Sequence, residues 1–190
     1  IIGAILTQNT AWTNVEKAIA RLKAVGVLTV EALEALPETE LALLIRSSGY
    51  FNQKAKKLKT FLGYLRRRHG GSLERMFRTE TPQLRRELLE LPGIGEETAD
   101  SILLYAGGHP VFVVDAYTRR ILERHGRVDP AASYQDIQRL FHRAIPPEVP
   151  IYNEFHALLV AAGKRHCLRS APRCEGCPLE RFPHRTEGTP

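Results

Sequence analysis

From Thr13 to Val25, apolar residues recur at Val15, Ile19 and Leu22, one face of a 3.6-residue period, and Gly26 follows as a stop. The same pattern predicts a short helix from a Thr29 cap through Leu36, and another opened by Pro37-Glu38 and running to Ser47. Phe51 to His69 sets Ala55, Leu58, Leu62 and Leu65 on one side and Lys54, Lys56, Lys57, Lys59, Arg66, Arg67 and Arg68 elsewhere, with Gly70-Gly71 to end it. Thr81-Pro82 reads as a cap followed by proline at the first helical position, for a helix that ends at Leu91-Pro92-Gly93. Further helices fit Thr98 to Ala106, Ala116 to His125, Ser133 to Ala144 and Tyr152 to His166. The one strand-like run, Val111-Phe112-Val113-Val114, has no partner run and reads as a buried extended connector. The fold class is therefore all-α. Ile1-Ile2-Gly3-Ala4-Ile5-Leu6 reads as the second half of an apolar helix with a segment expected upstream, and the tail after Pro183 reads as disordered.

Composition narrows the class. The 190 residues are 43% hydrophobic and 25% charged, ordinary for a globular chain that buries roughly 70% of its unfolded surface. No apolar run approaches the ~20 residues of a membrane span, so an integral helical membrane protein is excluded. A net charge of +6 favours a polyanionic partner. The three cysteines, Cys167, Cys174 and Cys177, crowd one end, which is no disulfide framework and points to a reducing, cytoplasmic interior.

Leu91-Pro92-Gly93-Ile94-Gly95 lies between two helical patterns. Two glycines straddling an apolar residue allow a tight hairpin and leave backbone N–H groups bare at a helix N-terminus, where a phosphate oxygen can sit. A plain helix–helix turn is the alternative reading of the same residues.

That string, with Thr98-Ala99-Asp100, Pro110 and Val113-Val114-Asp115 after it, resembles the helix-hairpin-helix glycosylases of the endonuclease III superfamily. The likeness extends to Leu6-Thr7-Gln8-Asn9-Thr10, to Ser48-Gly49-Tyr50-Phe51-Asn52-Gln53-Lys54-Ala55 and to Gly163-Lys164-Arg165-His166-Cys167, so it spans nearly the whole chain. It implies two helical lobes flanking a DNA-binding groove, residues 1–109 with the hairpin and residues 110–190 with the cysteine-rich loop. It also implies that Asp115 is the catalytic carboxylate. Breaking an N-glycosidic bond builds positive charge on the sugar, which a carboxylate stabilises while it orients the attacking water. Asp115 can equally cap the helix that starts at Ala116, and the two roles are compatible.

Bifunctional members of the family carry a lysine two residues after the second hairpin glycine, where its amine forms an imine with the sugar. Here that position is Glu97, which cannot form one. The resemblance is closest to the 3-methyladenine glycosylase branch, in which an aromatic ring after the Gln-Asn-Thr motif stacks on the flipped base. Trp12 stands there, either as that ring or as a core residue. Gln8 and Tyr50 match the positions that fill the vacated gap and wedge the stack, with a core aromatic as the alternative for Tyr50. Asn52 and Lys54 fall in the same DNA-binding motif, and the run from Lys54 to Lys59 reads as a solvated face or as phosphate contacts.

Cys167-x6-Cys174-x2-Cys177 matches three of four ligands of the family's [4Fe–4S] loop, and the fourth position is Pro183. His184 beside it could substitute; a three-iron cluster, zinc, or a degenerate loop are the other readings. The sequence thus predicts a monomeric, monofunctional base-excision glycosylase for alkylated purines in double-stranded DNA. The alternatives are a glycosylase with AP-lyase activity on oxidised pyrimidines or mismatches, and a non-catalytic protein that binds DNA damage.

Overall fold

The computed structural model describes residues 1–186, within which the secondary structure is helical throughout and no strand occurs. Among the described residues no helix is long and apolar enough to cross a membrane. The chain divides into two compact units, Ile1–Gly107 and the remainder from Gly108.

The first unit runs α1 (Ile2–Leu6), α2 (Trp12–Ala24), α3 (Val30–Ala35), α4 (Glu38–Leu44), α5 (Phe51–His69), α6 (Leu73–Phe77), α7 (Thr81–Leu89) and α8 (Glu96–Ile102). Its centre is α5, which buries Ala55, Leu58, Phe61, Leu62 and Leu65 and packs against α1, α3, α4 and α6. The expected boundaries of α5 are the observed ones, because Gly70 accepts the left-handed conformation (φ 60°) that closes the helix. Thr29 caps α3 by accepting from the Ala32 amide at 3.2 Å. On α2 the buried stripe is Val15, Ala18 and Leu22, with Ile19 only half-buried.

Two local expectations are corrected, and one helix that the periodicity missed is added. Thr81 is the first residue of α7 and not its cap, since Glu80 occupies the cap position with Pro82 inside the first turn. The helix expected from Thr98 starts two residues earlier, at Glu96, and its last turn widens to a π-helix at Leu103–Gly107. Helix α6 has too few residues to display a period; its signal was the Ser72 cap, which accepts from the Arg75 amide.

The second unit holds α9 (Ala116–Arg124), α10 (Tyr134–Ala144) and α11 (Val149–Arg165). Val111 to Val114 is a buried connector with no regular secondary structure. Its Phe112 is fully buried and stacks on Phe141 with ring centroids 3.8 Å apart. Ser133 and Asp136 form a reciprocal capping box at the start of α10. Gly163 of α11 lies against Tyr117 of α9, where a Cβ would meet the ring at 2.5 Å, so glycine sets how closely these helices approach. Of the tail expected to be disordered, Arg185 donates its amide to the Arg124 carbonyl at 2.9 Å, and residues 187–190 lie outside the described residues.

Candidate active site

Three loops of the first unit are tied together by two lysines one turn apart on α5. The Lys54 ammonium is buried and donates to the Leu6 carbonyl (2.8 Å), the Thr10 hydroxyl (2.7 Å) and the Ser48 carbonyl (2.6 Å). Thr10 also donates to the Ser48 carbonyl. All three Lys54 protons are therefore spent inside the protein, and the expectation that Lys54 contacts DNA is corrected on that ground. Burial also pushes its ammonium below the usual lysine range. Lys59 likewise serves the fold, with its ammonium on the Leu33, Glu34 and Leu36 carbonyls at the end of α3.

Lys57 reaches the hairpin. Its ammonium donates to the Gln8 side-chain carbonyl, and the Gln8 amide donates to the Gly93 carbonyl (3.1 Å) and the Thr98 hydroxyl (2.8 Å). The Lys57 stem runs over Gly93, where a Cβ would lie 2.6 Å from Cε. Gly93 has φ 88° and the Ile94 amide donates to the Leu91 carbonyl (3.0 Å), which closes the turn. Leu91 and Ile94 anchor it in the core, while Pro92, Gly93 and Gly95 are exposed. Around Gly95 the space is open, with no atom within 4 Å of where a Cβ would lie. Arg85 of α7 braces the far side, holding fully buried Asp100 of α8 with two hydrogen bonds at 2.7 and 3.1 Å.

Among the described residues, Asn9 (φ 52°) and Tyr50 (φ 45°) are the two non-glycine positions with left-handed backbones, and they sit on the two loops that Thr10 and Lys54 join. Such backbone strain gathers at functional positions. Tyr50 is 66% exposed, which removes the core-aromatic reading. Asn52 is exposed on the first turn of α5, and Glu97 is exposed on the first turn of α8. Trp12 opens α2 with its indole 46% exposed, so the core reading falls there too. One part of the ring rests on Gly3, where a Cβ would come within 3.1 Å, and its N–H donates to Glu16 at 2.9 Å.

In the second unit, Asp115 caps α9: Oδ1 accepts from the Thr118 amide at 2.7 Å. Oδ2 lies 3.7 Å from Nε2 of His156, a residue the sequence reading missed. The available signal was a titratable residue on the buried stripe of α11, among Tyr152, Leu159 and Gly163. Burial holds the His156 imidazole below its ordinary pKa, with Asp115 pulling the other way.

Cys167, Cys174 and Cys177 line one cleft together with Arg124, His125 and His184. Arg124 donates to the Cys167 sulfur (3.1 Å) and to the Leu168 and Arg169 carbonyls. Burial and the neighbouring thiols push the Cys174 thiol up. His184 Nδ1 donates to the Phe182 carbonyl at 2.7 Å, which fixes the tautomer that leaves a lone pair on Nε2. Among the described residues no three such side chains close round a single ion.

Residues 2–147 match the model of the HhH-GPD superfamily base excision DNA repair proteins. The chain is 44% identical to MJ1434 of Methanocaldococcus jannaschii, a candidate DNA repair glycosylase, over 96% of this chain and 83% of that protein. It is 30% identical to endonuclease III of Thermotoga maritima, over 95% and 79% of the two chains. Among solved structures, H. pylori 3-methyladenine DNA glycosylase (MagIII) bound to 1,N6-ethenoadenine superposes with a TM-score of 0.76 at 30% identity, covering 86% of this chain and 83% of that one. A non-covalent endonuclease III–DNA complex gives 0.80 at 28% identity, covering 95% and 79%. The chain belongs to the HhH-GPD superfamily and is a base-excision DNA glycosylase.

Proposed function

We propose that this glycosylase releases alkylated purines from duplex DNA by hydrolysis and leaves the strand intact. The observation that carries the reading is Glu97, exposed on the first turn of α8 immediately after the hairpin, where a strand-cutting relative would need an amine. Trp12 supports the substrate class. Alkylation at a ring nitrogen makes a purine cationic, and a half-exposed indole attracts such a ring by ~1–2 kcal/mol once water is excluded. The solved 3-methyladenine glycosylase among the structural relatives agrees with this choice.

In this reading the hairpin from Leu91 to Gly95 holds the DNA backbone, while Gln8 and Tyr50 address the gap left by the extruded nucleotide. As the bond from C1′ to the base nitrogen lengthens, its electron pair leaves with the base and cancels the positive charge of the alkylated ring. The sugar becomes cationic, and the Asp115 carboxylate stabilises it. Water adds to C1′ and gives its proton to Asp115. The His156 Nε2 stands 3.7 Å from this carboxylate. Its low pKa leaves it uncharged near neutrality, so it does not cancel the charge the sugar requires.

Cys167, Cys174, Cys177 and His184 would hold an iron–sulfur cluster, which would supply a cross-link for the terminal loop.

The test is base release from duplexes carrying 3-methyladenine, thymine glycol, uracil and G:T, with strand cleavage scored separately. Release of 3-methyladenine without nicking, and with no borohydride-trapped adduct, is expected. Efficient trapping of the wild-type protein would restore the lyase reading, which its 32% identity to Bacillus subtilis endonuclease III keeps in view. Tight damage binding with no base release would make it a binding protein.

A further inference from the structure

The Trp12 indole N–H donates to the Glu16 carboxylate at 2.9 Å. The two residues stand four apart on α2, so their side chains share one face. Glu16 is the sole acidic residue on a helix that also carries Lys17, Arg21 and Lys23, and its side chain is exposed. A carboxylate at the edge of a DNA-binding surface repels phosphate and weakens binding of any duplex. Its position on the stacking ring offers a compensating use. An anion accepting from the indole N–H raises electron density on the ring face, and its own charge adds a second attraction for a cation lying there. A neutral base gains from neither effect.

We infer that Glu16 is a specificity determinant that makes the Trp12 face selective for positively charged bases over neutral ones. The inference rests on the alkylated-purine reading and deepens it, for it names the property of the substrate that is read: ring charge and not shape alone. Gly3 takes part by lacking a side chain, since a Cβ there would lie 3.1 Å from the indole ring and press on it.

The experiment compares single-turnover release of cationic 3-methyladenine and neutral 1,N6-ethenoadenine by the wild type, Glu16→Gln and Glu16→Lys. Glutamine keeps an acceptor for the indole N–H and removes the charge; lysine reverses it. The cationic-to-neutral rate ratio should fall about three- to tenfold in Glu16→Gln and further in Glu16→Lys, the range expected of one partly screened charge on a stacked cation. Fluorescence of Trp12, the only tryptophan, gives a second readout: quenching on binding the 3-methyladenine duplex should weaken in both variants. Glu16 is exposed and makes no core contact, so both variants should melt as the wild type does. An unchanged ratio, or an equal fall for both bases, overturns the role of Glu16 and leaves the alkylated-purine reading standing. A wild-type protein that releases no 3-methyladenine overturns both.

Discussion

Lys57 donates its ammonium to the side-chain carbonyl of Gln8 while its stem occupies the space beside Gly93 that a side chain would need. One lysine thus holds both the residue matched to gap filling and the turn matched to the DNA backbone. Substitutions at the two hairpin glycines should then separate stability from binding. Gly93→Ala forces a left-handed alanine and pushes the Lys57 stem away from Gln8, at a cost of ~1–3 kcal/mol in thermal unfolding. Gly95 has φ −92° and open space around it, so Gly95→Ala should melt unchanged. Its duplex affinity should still fall by about tenfold if the backbone there approaches phosphate closely, as anisotropy titration would show.

Lys54→Met should be costly to the fold and silent in the salt dependence. Removing the ammonium takes the side-chain donor from the buried Leu6 carbonyl and leaves the Ser48 carbonyl with Thr10 alone, a loss of ~1–3 kcal/mol in denaturant unfolding. The slope of log affinity against log salt should stay that of the wild type, because no phosphate contact is lost. A slope reduced by about one would return Lys54 to the DNA surface.

Asp115→Asn keeps an oxygen for the Thr118 amide, so stability and duplex affinity should stay within a few-fold. Single-turnover base release should drop by at least about 10²-fold, as removal of one charge that stabilises a transition state implies. Asp100 offers no substitute, since it is fully buried against Arg85.

The folded pKa of His156 is depressed below its ordinary 6.5, so the unfolded chain binds this proton more readily than the folded one. The His156 contribution is fully present above pH 6.5 and is lost as the pH falls from there towards the depressed folded value. His156→Gln should therefore flatten the loss of thermal stability between about pH 6.5 and 5. Base release by the wild type should fall at the acid end as the imidazolium forms 3.7 Å from Asp115, and the variant should lack that limb.

Anaerobically purified protein should be brown, with iron and sulfide in the ratio of a cluster, if the thiols round the Arg124 cleft hold one. His184→Ala should then lose its absorbance near 400 nm faster in air than the wild type. Colourless, iron-free anaerobic protein rejects the cluster; equal lifetimes reject His184 as a ligand.

Periodicity and caps determined the helical class, the full extent of α5, the Thr29 cap and the buried connector before Asp115, because each depends on residues within a turn or two of one another. The hairpin and Asp115 were legible for the same reason: a glycine turn and a helix cap are local devices. Tertiary structure decided the fate of the lysines. Spacing placed Lys54, Lys56, Lys57 and Lys59 off the apolar stripe as one basic run, yet Lys54 is sealed among carbonyls, Lys57 braces the hairpin, Lys59 caps α3 and only Lys56 stays fully exposed. Apart from the Ser48 carbonyl close to Lys54, their acceptors come from segments more than 20 and up to 49 residues away, and a local pattern carries no record of which distant carbonyls will lack a donor. His156 was hidden for the same reason, since its meaning lies in a carboxylate on another helix, brought near where Gly163 lets α11 close on α9.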